Sequence, residues 1–436
     1  MVKNGKGGFY YGLEILPENW YNFVPDLPEP IPGPINPTES NAVGAMEKIR
    51  PKALQEMEQS REKWLTIPKD VFAKYQLIGR PTPLMRAREL EDYFGITARI
   101  YFKREDFLPT GSFKLNTSIP QAYFAWKEGF QGVVSETGAG QWGISLCFAA
   151  QLYGLKSKVF MARVSYRQKP YRRTLINLYG GEVLPSPSEY TGAGRKMLQE
   201  RPDHPGSIGS GISEAIETAI NNPEYAYVSG SNLVHVLIHQ TVIGMETRRQ
   251  LEQIGEFPDY LVACVGGGSN LGGFMLPFLP EVKAGRVKLL AAESTAAPRL
   301  TKGEFKYDQS DPFGYTPLTK SYTLGKDYVP PATHAGGLRQ HNGSPAVGVV
   351  RHAGLLDARA YSQDEVFEVG VLFSRLYGTV PAPETCHALR AVIDLVKEVE
   401  KVRKNAVICA CFSGHGLLDL SGYEDVYLKC FKEGIY

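Results

Sequence analysis

The stretch YLVACVGGGSNLGG, residues 260–273, decides the fold class. Its apolar run at 260–265 passes directly into the three glycines at 266–268 and then into Ser269 and Asn270. A continuous apolar run is typical of a buried parallel strand, and glycines let the chain turn sharply into a following helix. Backbone N–H groups at such a turn, aided by the helix dipole, bind phosphate without a cationic side chain. The stretch therefore predicts an α/β fold with a phosphate site, and a turn without a ligand is the alternative.

The same turn excludes two common nucleotide-binding motifs. It lacks the lysine of a P-loop and the GxGxxG spacing of a dinucleotide fold, which argues against ATP and NAD. Outward from it, short β-branched runs alternate with amphipathic stretches, the pattern of parallel sheets with crossover helices. The predicted strands are ARIYFKRE (98–105), GVVSET (132–137), SKVFMA (157–162), EVLPS (182–186), AYVSG (226–230), YLVACVGGG (260–268), VKLLAAE (287–293) and NAVICACFSG (405–414). We expect two α/β domains, each a mostly parallel twisted sheet flanked by helices, with a site between them.

The amino-terminal part of the chain is rich in proline. Seven prolines at 17–37 forbid helix interiors and central strands, so this segment is expected to run extended over a surface. Residues 41–65 read as a helix, with Leu54, Met57 and Trp64 available for one face. The expected domains are a Pro-rich extension at 1–40, an N-terminal α/β domain with a mobile lid at 41–230, and a C-terminal α/β domain at 231–436 that also takes the segment 83–112.

Composition excludes several classes of partner. The chain has 48 basic and 46 acidic side chains, a formal net charge of +2 and no long run of like charges, so neither nucleic acid nor membrane is expected to bind. No long apolar window or signal peptide is visible, which indicates a cytoplasmic protein. The six cysteines lack a CxxC pair and are expected to be buried thiols. His235 and His239 lack the glutamate of an HExxH motif, so no metal site is predicted.

A lysine stands in an apolar setting in the segment TGSFKLN, residues 110–116. Lys114 is flanked by Phe113 and Leu115 and precedes an apolar helix. A desolvated lysine has a lowered pKa and can form a Schiff base with a carbonyl cofactor. The competing interpretation is a surface lysine that keeps its amine in water.

Two further strands end in glycine-rich turns. SETGAGQWG, residues 135–143, places Glu136 where a strand delivers a general acid or base, and its backbone N–H groups suit a carboxylate. SGHG, residues 413–416, places Ser413 at the carboxyl edge of a sheet, where α/β proteins bind ligands. Each also has a plain interpretation as a turn without a ligand.

Taken together, these four features resemble the tryptophan synthase β family of fold-type II pyridoxal-phosphate enzymes in both order and spacing. The resemblance includes GRPTPL (79–84), FKREDFLPTGSFK (102–114) and PAPETCHA (381–388), so it spans roughly residues 79–420. Related pyridoxal enzymes such as threonine dehydratases and cysteine synthases carry an S-x-G-N turn where this chain has ETGAGQ. The set is far more specific than any of its members.

The resemblance implies a role for each matching residue. Lys114 would hold pyridoxal 5'-phosphate and transfer protons, and Glu136 would help the β-oxygen of the amino-acid donor to leave. Cofactor contacts would come from Asn116 at the ring hydroxyl, from Gly266, Gly267, Gly268, Ser269 and Asn270 at the phosphate, from Glu384 beside the ring, and from Ser413 facing the pyridine nitrogen. The carboxylate of the amino acid would be held by Thr137, Gly138, Ala139, Gly140 and Gln141. A neutral hydroxyl at the ring nitrogen favours β-replacement over transamination.

The implied activity is the synthesis of L-tryptophan from indole and L-serine. Phe113 and Trp142 replace histidines of the usual family pattern, and Arg339 replaces an aspartate, which indicates the divergent stand-alone branch. A guanidinium suits an anionic leaving group, so O-phosphoserine is a further expected donor, with Arg339 as a substrate-binding residue. The rival interpretations are a serine or threonine deaminase on the same site and a catalytically idle regulatory homologue. The family suggests a homodimer and leaves open a monovalent cation and an α-chain partner.

Overall fold

The computed structural model describes residues 9–10, 13–36 and 43–428, and these contain two large sheets. The seven-stranded sheet has the spatial order β1 (Phe9–Tyr10), β4 (Leu84–Arg86), β5 (Arg99–Arg104), β15 (Val407–Phe412), β10 (Tyr260–Cys264), β11 (Lys288–Ser294) and β14 (Leu356–Tyr361). The four-stranded sheet has the order β8 (Glu182–Ser186), β7 (Lys156–Ala162), β6 (Gly132–Thr137) and β9 (Tyr225–Tyr227). Two antiparallel pairs are β2 (Asn19–Tyr21) with β3 (Trp64–Thr66), and β12 (Glu304–Asp308) with β13 (Thr319–Thr323).

Helices connect and cover these strands. The α-helices are α1 (Val43–Ile49), α2 (Lys52–Gln59), α3 (Lys69–Leu77), α4 (Arg88–Phe94), α5 (Leu115–Lys127), α6 (Gln141–Gln151), α7 (Arg163–Gln168), α8 (Pro170–Leu178), α9 (Gly192–Glu200), α10 (Ile208–Asn221), α11 (Val234–Gln240), α12 (Val242–Gln253), α13 (Ser269–Met275), α14 (Leu279–Lys283), α15 (Arg299–Lys302), α16 (Pro345–His352), α17 (Gln363–Tyr377), α18 (Pro383–Val402) and α19 (Leu420–Tyr423). Short 3₁₀ segments lie at Leu13–Ile15, Val24–Asp26, Glu105–Phe107, Leu276–Phe278 and Gly336–Leu338, and a π-helical turn lies at Glu424–Leu428. Within the described ranges, none of the helices combines the length and the apolar character needed to span a bilayer.

The parallel pairing of the central strands confirms the predicted α/β class. In the larger sheet, β5, β15, β10, β11 and β14 pair in parallel, and all four strands of the smaller sheet are parallel. Every residue of β6 and β15 is buried, as expected for strands covered by helices on both faces. The chain enters the larger sheet early, because β4 and β5 pair with each other and β5 pairs with β15. All eight predicted strands are present, four of them with shorter bounds than predicted.

Two expectations for the amino-terminal part are wrong. The helix predicted at 41–65 is interrupted at Pro51, whose backbone (φ −52°, ψ 130°) is not helical and separates α1 from α2. Trp64 lies in the strand β3 and is half-exposed, whereas Leu54 and Met57 are buried as expected. The proline-rich segment is also not a simple surface run.

Aromatic side chains between the prolines anchor that segment in the core. Trp20 and Phe23 are at most 1% exposed, and the Trp20 ring lies 4.7 Å from the His239 ring. The Trp20 Nε1 donates to the Tyr75 hydroxyl, which donates to the backbone carbonyl of Asn116 in the first turn of α5. The stretch at 29–36 is the part that runs over the surface, and Pro37 lies outside the described residues.

Candidate active site

Two adjoining cavities of about 450 and 420 Å³ lie where the glycine-rich turns of the two sheets meet. The first cavity is lined by Lys114, Glu136, Thr137, Gly138, Ala139, Gln141, Trp142, Ile208, Gly230, Ser231, Gly267, Gly337 and Gln340. The second is lined by Ser112, Phe113, Lys114, Gln141, Cys264, Gly266, Gly267, Gly268, Ser269, Asn270, Gly337, Leu338, Glu384 and Ser413. The cavities share Lys114, so most of the predicted site residues surround one amine.

The amine of Lys114 points into the protein. The residue immediately precedes α5, and its Nζ donates to the Ser269 Oγ at 3.0 Å and to the backbone carbonyl of Gly230. The Phe113 ring centroid lies 4.7 Å from the Nζ. Burial lowers the pKa of Lys114 to about 8, so an appreciable share of the amine is neutral near physiological pH. The interpretation as a surface lysine that keeps its amine in water is therefore wrong.

The turn between β10 and α13 fits a phosphate. Gly268 has φ +118°, a conformation that L side chains rarely adopt, and a Cβ on Gly266 would lie 2.0 Å from the Gly337 carbonyl oxygen. The N–H groups of Gly267 and Gly268 are buried and donate to none of the described residues. A buried N–H without a partner is costly, so a plain turn without a ligand is the weaker interpretation. The residues present here suit the phosphate of pyridoxal phosphate.

The turn between β6 and α6 has the same design. Thr137 Oγ1 accepts from the backbone N–H of Gly140 at 3.2 Å and from that of Gly143 at 3.3 Å, which braces the turn from behind. The N–H groups of Gly138 and Ala139 have no acceptor among the described residues. Two free N–H groups at the wall of the first cavity suit a carboxylate.

Glu136 is buried at the end of β6 and accepts hydrogen bonds from three hydroxyls, the longest of them from Ser135 Oγ at 3.4 Å. Its Oε2 accepts from the Tyr227 hydroxyl at 3.1 Å, and its Oε1 accepts from the Ser229 hydroxyl at 3.2 Å. Burial raises the pKa of Glu136 above the usual range of a glutamate, which suits an acid or base that works near neutral pH. Sequence reasoning missed Tyr227 and Ser229. Residues two apart in the predicted strand AYVSG share a face, and that alternation was the available signal.

Ser413 and Glu384 lie in the second cavity. The Ser413 hydroxyl lies 2.8 Å from that of Thr385 and so has a neutral partner. Glu384 accepts from the backbone N–H of Gly337 at 2.8 Å and from the side-chain amide of Gln141 at 3.2 Å. The glutamate thus joins the carboxylate-binding turn to the 3₁₀ segment at 336–338, in addition to lining the cavity.

Asn116 faces away from both cavities. Its amide donates to Glu105 and to Gln240, each at 2.9 Å, and its carbonyl oxygen accepts from Arg80 at 2.5 Å. Because both the amide nitrogen and the amide oxygen of the side chain already form hydrogen bonds within the protein, the structure does not place Asn116 at a cofactor ring. It joins the first turn of α5 to a group of four buried charged side chains.

This buried charge cluster consists of Arg80, Lys103, Glu105 and Glu246, each at most 1% exposed. Arg80 pairs with Glu105 at 2.9 Å and with Glu246 at 2.8 Å, and Lys103 pairs with Glu246 at 2.6 Å. The two positive and two negative charges balance. Through Asn116 the cluster fixes the start of the helix that carries Lys114.

Arg339 and Gly140 are the other predicted residues outside the lining of the cavities. The Arg339 guanidinium donates from Nη2 to the backbone carbonyl of Pro330 at 3.0 Å, and its buried Nε has no partner among the described residues. Burial lowers the pKa of Arg339 to about 10. The side chain remains a cation, held next to the segment at 336–338.

An apolar wall completes the first cavity. The Trp142 indole is 5% exposed and donates from Nε1 to the Ser135 hydroxyl at 2.8 Å. Ile208, at the start of α10, lies on the same cavity and packs against Gly138. Sequence reasoning did not identify Ile208, because it lies more than sixty residues beyond the turn that it faces.

The fold and the site together define a pyridoxal-phosphate enzyme. A family model described as "Pyridoxal-phosphate dependent enzyme" matches residues 75–414, and the chain belongs to that family. A protein from Methanothermobacter thermautotrophicus named "Tryptophan synthase beta chain 2" is 51% identical over 95% of this chain and 97% of its own length. One of the same name from Thermotoga maritima is 49% identical over 94% of this chain and 98% of its own. Within the pyridoxal-phosphate enzymes, the chain is a member of the tryptophan synthase β family, as the sequence motifs predicted.

Solved structures confirm the fold. A processed threonine deaminase isoform from Solanum lycopersicum superimposes with a TM-score of 0.61 at 18% identity and covers 92% of this chain and 98% of its own. A fungal L-serine ammonia-lyase from Rhizomucor miehei gives a TM-score of 0.59 at 15% identity and covers 80% of this chain and 98% of its own. At these identities the likeness shows the fold-type II architecture alone.

Proposed function

We propose that this protein joins indole to the β-carbon of L-serine, giving L-tryptophan and water, with pyridoxal phosphate bound at Lys114. The observation that carries the proposal is the pair of Lys114 and Glu136 on one cavity, an amine with a lowered pKa and a carboxyl with a raised one. Groups whose pKa values are displaced in this way suit proton transfer near neutral pH. The names of the close relatives support the same activity.

Bound pyridoxal phosphate supplies an electron sink that allows bonds at the α and β carbons of the amino acid to break. Its phosphate would be held by the turn at 266–270, where Gly267 and Gly268 offer free N–H groups. Ser413 would face the ring nitrogen with a neutral hydroxyl. Glu384 would lie beside the ring, where it also holds Gly337 and Gln141 in place.

Lys114 and Glu136 would share the proton transfers. The Nζ of Lys114 takes the α-proton of the amino acid and later returns it, which a pKa of about 8 permits in both directions. The carboxyl of Glu136 gives its proton to the departing hydroxyl oxygen of serine. Its carboxylate then accepts a hydrogen bond from the indole N–H, which directs the ring carbon toward the β-carbon. Once the carbon–carbon bond has formed, the carboxylate takes up the proton that this ring carbon loses, which restores the acid form of Glu136.

The remaining residues would orient the substrates and exclude water. The free N–H groups of Gly138 and Ala139 hold the carboxylate of the amino acid. Trp142 and Ile208 give the indole an apolar surface in the first cavity. An apolar pocket also limits the access of water, which would otherwise hydrolyse the dehydrated amino acid at its α-carbon and divert the reaction toward pyruvate and ammonia.

The test is a comparison of tryptophan and pyruvate produced by the protein with L-serine, with and without indole. We expect tryptophan to exceed pyruvate when indole is present, and Lys114→Ala to abolish both products. Glu136→Gln should reduce tryptophan formation by about a hundredfold or more, the usual contribution of a general acid or base. Pyruvate as the sole product would contradict the proposal and support the deaminase.

We further propose O-phosphoserine as an alternative donor, supported by Arg339. This guanidinium is buried, forms no ion pair among the described residues and lies next to the segment that borders both cavities. An unpaired cation favours an anionic leaving group. Arg339→Asp should lower kcat/KM for O-phosphoserine relative to L-serine by about tenfold or more, and Arg339→Lys should retain the ratio. If Arg339→Asp leaves the ratio of kcat/KM for O-phosphoserine and L-serine unchanged, the proposal is contradicted.

The assembly state is a proposal that rests on family resemblance. We propose a homodimer in the cytoplasm that makes tryptophan without an α chain. Sedimentation velocity would give the oligomeric state. Addition of a tryptophan synthase α chain should change the rate by less than about twofold, and a large activation would contradict the stand-alone assignment.

A further inference from the structure

An unpaired arginine lies directly behind the phosphate-binding turn. Arg299, the first residue of α15, is 1% exposed, and its Nε and Nη2 both donate to the backbone carbonyl of Gly266, at 3.1 and 2.6 Å. Its Nη1 is buried and has no hydrogen-bond partner among the described residues. Within the described ranges, no carboxylate forms an ion pair with Arg299. The protein therefore keeps a positive charge without an ion-pair partner at this turn.

The surroundings are shaped to hold that charge. Glu293 attracts Arg299 electrostatically without forming an ion pair with it, and its carboxylate accepts from the backbone N–H groups of Leu300 and Thr301, each at 2.9 Å. A Cβ on Gly343 would lie 2.3 Å from the Arg299 Cζ, so the absence of a side chain there makes room for the guanidinium. Burial lowers the pKa of Arg299 to about 10, which leaves it protonated at neutral pH. An unpaired buried cation is costly, and retaining one indicates a ligand that compensates it.

The hydrogen bonds at Gly266 act on the donors that face the cavity. The Gly266 carbonyl belongs to the same peptide group as the Gly267 N–H, and the Gly267 carbonyl, which accepts from the Ser344 N–H at 2.7 Å, belongs to the same group as the Gly268 N–H. In two successive peptide groups, the carbonyl oxygen thus accepts a hydrogen bond while the N–H group has no acceptor. Hydrogen bonds in series polarise one another, so a cation at the Gly266 oxygen strengthens the Gly267 donor.

The cavity itself offers little positive charge to a phosphate. The only cationic side chain in the lining of the second cavity is Lys114, which the cofactor's aldehyde requires, and Phe113 beside it is apolar. We infer that Arg299 is the fixed cation of the phosphate-binding turn and that it acts through Gly266. The inference requires that the protein binds pyridoxal phosphate, and it does not require that tryptophan is the product.

The test is the dissociation constant of pyridoxal phosphate, measured by absorbance titration of the apoenzyme without amino acid or indole. Arg299→Met keeps an unbranched side chain and removes the charge, and it should weaken binding by about ten- to a hundredfold, as expected for a hydrogen bond to a charged group. Arg299→Lys should recover most of the affinity. The matched control is Arg351→Met, since Arg351 also donates to backbone carbonyls, those of Leu300 and Leu356, and lies outside the cavities. It should change the constant by less than about threefold.

A cation series separates a charge effect from a structural one. The wild-type constant should be the same in potassium and tetramethylammonium buffers, whereas potassium should restore part of the affinity in Arg299→Met. Unchanged affinity in Arg299→Met, or a wild-type protein that needs potassium to bind the cofactor, would overturn the inference. If Arg299→Met does not fold, the wild-type cation series and Arg299→Lys still decide it. Because no substrate is present, these outcomes are independent of whether the protein makes tryptophan.

Discussion

The hydroxyl of Tyr227 should set the pH at which Glu136 works. Tyr227→Phe removes the hydroxyl that donates to Oε2 at 3.1 Å, and it leaves the Ser229 hydroxyl on Oε1 and the Ser135 hydroxyl 3.4 Å from Oε2. Hydrogen bonds to a carboxylate favour its charged form, so the loss of one raises the pKa of Glu136 above its already raised value. The same substitution leaves the shape of the pocket almost unchanged.

The size of the effect follows from the strength of that hydrogen bond. A hydrogen bond to a charged group contributes about 1.5–3 kcal/mol, and one pKa unit corresponds to about 1.4 kcal/mol, so the pKa rises by about one to two units. The ionised carboxylate orients indole, and activity toward indole therefore falls as the pH falls through this pKa. In the pH profile of kcat/KM for indole at saturating L-serine, the acid limb should move upward by about one to two units. The plateau at high pH should change little.

Tyr225→Phe is the matched control for this measurement. It removes the same hydroxyl from the same strand, and within the described chain Tyr225 forms no hydrogen bond with Glu136. Its acid limb should coincide with that of the wild type. An unshifted limb in Tyr227→Phe, or an equal shift in Tyr225→Phe, would refute the argument that Tyr227 controls the protonation of Glu136.

Two other substitutions give separate tests. Burial alone would raise the pKa of Asp419, but Arg172 and Lys169 lower it below the usual range, so its stabilisation is present above about pH 4 and is lost as the pH falls through the folded-state value. Asp419→Asn should lower the free energy of unfolding by about 3–5 kcal/mol at pH 7 and by less in acid, measured by urea titration, and an equal effect at both pH values would contradict this. Gly343→Ala should displace the Arg299 guanidinium and weaken cofactor binding in the same titration, with unchanged affinity counting against it.

The parts of the site that sequence reasoning could predict are those built from one short segment. The strand β6 has the predicted bounds, 132–137, because its apolar run ends at a glycine turn that stops the strand. Lys114 and the turns at 137–141 and 266–270 were found for the same reason, since glycine spacing and strand ends are local signals. The prediction of one helix at 41–65 was wrong because it relied on the many helix-favouring residues of this segment and gave too little importance to Pro51, which interrupts the helix.

The unpredicted parts depend on contacts between distant segments. Arg299 and Gly266 are 33 residues apart, and nothing near Arg299 in the sequence marks it as a partner of the turn. The family resemblance implied that Asn116 is a cofactor contact, but its side chain is bonded to Arg80 and Glu105 and lines neither cavity. The edge strand β14, with only its first and last residues buried, has too little apolar patterning to be seen.

The buried charge cluster beneath α5 gives the site an unusual dependence on temperature. Because the hydration of ions carries a strongly negative entropy, water solvates them less favourably as temperature rises, and the penalty for keeping Arg80, Lys103, Glu105 and Glu246 dry falls. The hydrophobic contribution per unit area reaches a plateau over the same range. Heating therefore shifts the balance of forces at the first turn of α5 toward its ionic support. The position of the Lys114 amine thus depends on ion pairs, whose contribution to stability falls least as the temperature rises.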